Sequence, residues 1–156
     1  MRARFIDRRY RAVTVPLAGI AVGVLLAATG CSNSNFETTT VAAGLGCVDD
    51  SKACIDHRQA ARTAMLADKN RGWVKEPATA SAYASGVRMF AFKTEKPRLT
   101  CVELAAGRRE ADAAPTALRG PSGQGLSPAQ ISRGVMFAAE VGRELTSEMK
   151  RRCPAA

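Results

Sequence analysis

The chain has 156 residues, 23 Lys and Arg against 14 Asp and Glu, a formal charge of +9, five cysteines and one histidine. Once the leader described below is set aside, that length suits one hydrophobic core and not comfortably two. A lone histidine argues against a zinc site built from two ligand clusters.

In chain order the first feature is a basic tip, with Arg2, Arg4, Arg8, Arg9 and Arg11 against Asp7, followed by an apolar run from about Ala12 to Ala28. A charged tip, a short apolar core and a small-residue cleavage site are the parts of a secretory signal peptide. Residues 1–30 are therefore expected to be removed. The sequence Leu26-Ala27-Ala28-Thr29-Gly30-Cys31 resembles the lipobox of bacterial lipoproteins, although Ala28 stands where that family usually carries Leu, Val or Ile. The resemblance implies cleavage before Cys31 and a diacylglycerol thioether on its sulfur, with a further acyl chain such as palmitate on the freed amine. Ser32 after the lipidated cysteine implies the outer membrane, in the sorting habit of enteric members of the family. At about 0.8 kcal/mol per buried methylene, two or three acyl chains hold a protein on a membrane essentially permanently.

Five arginines and Asp7 leave with the signal peptide, so the charge of the remaining chain falls from +9 to +5. A balance of that size suits phosphate-bearing lipids or acidic envelope polymers, and solubility explains it equally well. An exported location makes nucleic acid a poor partner. Residues 31–46 are expected to form the lipidated N-terminus and a flexible tether, because Ser32 to Gly46 is polar, small and without helical periodicity. Such a chain would span roughly 20 Å.

Residues 47–156 are expected to form an all-α domain, a small four-helix bundle stapled by two disulfides. The first helix should start near Asp49 or Asp50, turn Cys54, Ala61, Met65 and Leu66 inward, and end between Asn70 and Gly72. The second, from about Ala78 to Lys93, carries Tyr83, Val87 and Phe90 at helical spacing. The third starts with a capping box at Thr100-Cys101-Val102-Glu103 and should stop near Ala114, before Pro115. The fourth starts at Ser127-Pro128-Ala129-Gln130, a second capping box, and runs to Arg152. Its seam of Ile131, Val135, Ala138, Gly142, Leu145 and Met149 steps alternately by four and three, while Glu140, Arg143, Glu144 and Glu148 are expected to face water.

Cys47, Cys54, Cys101 and Cys153 are an even set in an exported domain, which predicts two disulfides. If successive helices alternate in direction, all four cysteines gather at one end. Seven helical residues rise about 10 Å, too far for a bridge between Cys47 and Cys54 if both are helical. The preferred pairing is then Cys54 with Cys101 and Cys47 with Cys153, with the exchange pairing as the alternative.

Chemistry-bearing patterns are few. Cys54-Ile55-Asp56-His57 with Cys47 lacks the ligands of a zinc centre and the second cysteine of a haem attachment sequence, so no metal or cofactor is expected. Ser147-x-x-Lys150 lacks the companion motifs of penicillin-interacting enzymes. The glycines from Arg119 to Gly125 lack a phosphate-loop ending. Glu103, Glu110 and Asp112 lie among Arg108 and Arg109 at spacings that suit exposed salt bridges. No convergent acid, base or nucleophile is legible, and an interaction module is favoured over a structural surface lipoprotein or an envelope enzyme. The candidate recognition surface is a membrane-distal pair of loops with Arg71, Trp73 and Lys75 in one and Arg119 in the other, facing an envelope protein or acidic polymer.

Overall fold

The computed structural model describes residues 34–153. The segment expected to be a signal peptide, Cys31 and the first residues of the expected tether lie outside the described residues. Within them the fold is all helical, with no strand: α1 (Ser34–Gly46), α2 (Lys52–Ala67), α3 (Ala80–Ser85), α4 (Val87–Glu95), α5 (Cys101–Arg119) and α6 (Pro128–Arg152), plus short 3-10 turns at Gly72–Lys75 and Pro121–Gly123.

The segment expected to be a tether is instead mostly helical. α1 shows no periodicity because its contact with α2 is made through a glycine. A Cβ at Gly44 would lie 2.3 Å from Ala61 Cβ and 2.5 Å from the His57 carbonyl oxygen, so only glycine lets the two backbones meet. Val41 and Leu45 add partly buried apolar surface to the core.

Both capping boxes form as read. The Thr100 and Ser127 hydroxyls accept from Glu103 N and Gln130 N, and the two side chains at those third positions reach back to the cap amides. α2 starts two or three residues later than expected, because the Ser51 hydroxyl caps Cys54 N, and it ends earlier, at Ala67, where the backbone turns extended at Asp68. The expected second helix is broken into α3 and α4 by Gly86, at φ +74°, where the chain passes Phe137 of α6 closely enough that a Cβ would touch the ring. α5 runs through Pro115 to Arg119, held on both sides of the proline by the buried Ala114 and Leu118. Proline removes one backbone bond, and burial of the flanking apolar face carries the helix past it.

The helices do not alternate in direction. Arg62 of α2 lies over Phe90 of α4, and one turn further on Met65 is joined through Trp73 to Phe92, so α2 and α4 run parallel. An extended return containing the Gly72–Lys75 turn makes this possible. α6 runs the same way, since its start meets Val48 and Asp50 and its Arg152 guanidinium reaches the Lys96 and Pro97 carbonyls after α4. α5 and α1 run opposite. The core between them holds Met65, Trp73, Met89, Phe92, Leu99, Leu104, Leu118, Val141 and Leu145.

That topology corrects the disulfide pairing. The bridges are Cys47–Cys54, with Cα atoms 5.3 Å apart, and Cys101–Cys153, at 5.8 Å. Cys47 lies beyond the end of α1, and the turn through Val48, Asp49 and Asp50 folds it back over the first turn of α2. Cys54 and Cys101 lie at opposite ends of the bundle, because α2 starts beside the N-terminus of α6 and α5 starts beside its C-terminus. A helix of 25 residues separates those ends by about 37 Å, far beyond disulfide reach.

Candidate functional site

Between α2, the α3–α4 junction and α6 lies an open groove of about 410 Å³. α2 contributes Ile55, Arg58, Gln59 and Arg62, whose three- and four-residue steps place them on one face outside the core stripe of Cys54, Ala61 and Met65. Tyr83 to Val87 and Phe90 form a second wall, and Arg133, Gly134 and Phe137 of α6 form the third. The kink at Gly86 matters here, since it sets the α3–α4 junction against Phe137, and the Phe90 beyond it is partly exposed.

Two of the arginines are already engaged. Arg58 donates to the Asp49 carbonyl at 2.6 Å and the Cys47 carbonyl at 3.3 Å, and Arg133 lies 3.3 Å from Asp50 Oδ2. The small Cys47–Cys54 ring thus supplies the carbonyls that orient one guanidinium. Arg62 is different: it stacks 4.7 Å over the Phe90 ring and has no carboxylate partner among the described residues. Three guanidinium groups face one carboxylate, Asp50, beside the apolar surfaces of Ile55, Phe90 and Phe137. Ile55 is 45% exposed. The arrangement can hold an anionic oxygen by charge-assisted hydrogen bonds while covering an apolar side chain.

A second groove of about 630 Å³ lies between α5 and α6, lined by Arg108, Asp112, Pro115, Arg143, Ser147, Lys150 and small residues. Arg108 is already engaged there, with Asp112 and with Thr146 Oγ1 at 2.7 Å. It lacks the large apolar surfaces of the first groove.

The residues singled out from sequence are not brought together. Trp73 is 4% exposed, its Nε1 donates to the Met65 carbonyl at 3.1 Å, and its ring meets Phe92 edge-on. It is a core residue and offers no aromatic face to a partner. Arg71 is held by Glu103 through Nε at 3.0 Å and Nη2 at 3.3 Å. Burial pushes the Glu103 carboxyl up, but hydrogen bonds from Arg71 and Thr100 outweigh it and leave its pKa lowered. Lys75 and Arg119 are exposed. The Arg71 loop lies at the Cys101–Cys153 end and Arg119 at the opposite end of α5, so the expected joint surface does not form.

Of two acidic residues expected in water, Glu148 is buried and Glu110 largely so. Glu110 is paired with Arg88, whose side chain is 1% exposed and also donates to the Glu76 carbonyl. Glu148 lies under Arg151 and Arg152, and the hydrogen bond from Arg151 leads the effects that hold its carboxyl below the ordinary value. His57 sits exposed on α2. Among the described residues no group of three or more His, Cys, Asp or Glu side chains is placed to hold a metal ion. The groove residues Arg58, Arg62, Phe90, Arg133 and Phe137 were not recognised from sequence as a set. The readable trace is the stripe of Ile55, Arg58 and Arg62 on a helix whose core face points elsewhere.

Compared with known proteins, the chain matches no family model, no curated protein and no solved structure.

Proposed function

We propose that this protein is a bacterial cell-envelope lipoprotein, anchored in the outer membrane by lipid on Cys31, whose helical domain is an interaction or accessory module. The signal-like N-terminus and lipobox-like Leu26 to Cys31 support the anchoring. The observation that carries the interaction reading is the groove between α2, α3–α4 and α6. Its arginine excess and exposed apolar surfaces suit an envelope protein segment that presents a carboxylate beside an apolar side chain. This replaces the loop surface around Trp73 as the point of recognition. Arg62, already stacked and without an acidic partner among the described residues, needs to break no ion pair to receive a carboxylate.

The test is recovery of partners from cross-linked envelopes with wild type, Arg62→Glu and Arg119→Glu. Loss of a specific partner in Arg62→Glu alone supports the reading. Equal recovery from all three proteins contradicts it.

A further inference from the structure

The helical state of residues 34–46 changes how a lipid on Cys31 would hold the domain. Only Ser32 and Asn33 separate Cys31 from the start of α1, and three chain steps span at most about 10 Å whatever their path. Because α1 runs antiparallel to α2, with Gly44 seated over His57 and Ala61, the ten residues back to Ser34 rise about 15 Å toward the end of α2. The start of α1 therefore lies at the end of the bundle that carries the Cys101–Cys153 bridge.

That end is also the more cationic one. Lys69, Lys75 and Lys150 are exposed there without a carboxylate partner among the described residues, and the side chains of Arg98 and Arg151 are 75% and 68% exposed. Its carboxylates are largely occupied: Glu95 by Arg98, Glu103 by Arg71, Glu144 by Lys93 and Lys96, Glu148 by Arg151 and Arg152, while Asp68 accepts from the Asn70 and Gly72 amides. At the opposite end exposed Asp49, Asp50 and Asp56 offset Lys52, Arg58 and Arg133, which leaves Arg119 as the exposed cation there without a carboxylate partner among the described residues. The three basic residues closing α6 suit its helix dipole, but the dipole does not account for Lys69, Lys75 and Arg98, which come from other segments.

We infer that the Cys101–Cys153 end of the bundle rests on the anionic phospholipid headgroups around its own anchor, so that the domain stands upright with the arginine-lined groove turned away from the membrane. The inference rests on the lipidation of Cys31 proposed above. Headgroup phosphates attract clustered Lys and Arg within a Debye length of the surface, and a two-residue link keeps the cluster inside that range.

The experiment is lysine acetylation by a membrane-impermeant reagent on the lipidated protein, reconstituted into vesicles of phosphatidylcholine alone or of phosphatidylethanolamine with phosphatidylglycerol. Peptide mass spectrometry reads each lysine, and intact mass on the same sample reads the lipid. Lys69, Lys75 and Lys150 should react several-fold more slowly on the anionic vesicles, with Lys52 unchanged and the protection lost at high salt. Lipidated protein whose lysines react alike on both vesicles, or whose Lys52 is protected equally, overturns the orientation while leaving the anchor in place. A bare Cys31 in protein isolated from membranes overturns the anchor and the orientation together.

Discussion

Arg88 of α4 and Glu110 of α5 form an ion pair inside the bundle, with side-chain exposures of 1% and 11%. Such a pair adds little net stability, yet removing one partner strands the other charge. Glu110→Ala should cost about 3–5 kcal/mol in urea unfolding. Combining Arg88→Met with Glu110→Leu should lie closer to wild type than Glu110→Ala does. A single Glu110→Ala that unfolds like wild type would show that Arg88 is satisfied without it.

The two disulfides should contribute unequally. Cys101–Cys153 spans 52 residues of sequence and Cys47–Cys54 only seven. The chain-entropy model assigns them about 4 and about 2.5 kcal/mol. Replacing Cys101 and Cys153 by serine should therefore lower the urea midpoint more than replacing Cys47 and Cys54. Unreduced tryptic digests check the connectivity, because cleavage after Lys52 separates Cys47 from Cys54 and leaves the two peptides joined only by that bridge.

How much of this fold the sequence discloses depends on where its information is local. The capping boxes at Thr100 and Ser127 are written in four residues each and form as read. The seam of α6 is likewise visible, since one helix carries the whole pattern. Chain direction is not local. Parallel packing of α2 and α4 depends on an extended return pinned by Trp73 in the core and Arg71 on Glu103, contacts whose partners lie outside that return. One reversed helix moved the start of α5 to the other end and changed every disulfide. α1 was illegible for a different reason, because a backbone contact through Gly44 leaves no apolar stripe to read. The groove draws on α2, α3–α4 and α6, so only its α2 stripe had a sequence trace.

Docking of α1 can be tested at that glycine. Gly44→Val places side-chain carbon where Ala61 and the His57 backbone already lie, so residues 40–46 should lose amide-exchange protection while α2 to α6 keep theirs. Gly46→Ala meets no atom within 4 Å and should leave exchange unchanged or slower. Equal protection in Gly44→Val and wild type would contradict the packing.

Acid should destabilise the domain. Glu103, Glu144 and Glu148 all have folded-state pKa values below the reference of 4.5: Arg71 and Thr100 overcome burial at Glu103, Lys96 and Lys93 act on Glu144, and Arg151 and Arg152 act on Glu148. A lowered folded value means these groups contribute stability above 4.5, and that contribution is lost as pH falls through their folded values. Glu110 acts in the opposite sense, since burial raises its carboxyl above 4.5 against the pull of Arg88 and its protonation restores some stability as pH falls through that folded value. The urea midpoint should fall below pH of about 4, where the three lowered carboxylates are protonated. In Glu148→Gln the fall should be shallower.

The most direct measurement is intact-mass spectrometry of the protein extracted from bacterial membranes. The expected species begins at Cys31 and is heavier than the bare polypeptide by a diacylglyceryl group, with or without a third acyl chain. A chain that retains residues 1–30, or one whose Cys31 sulfur carries no lipid, would contradict it.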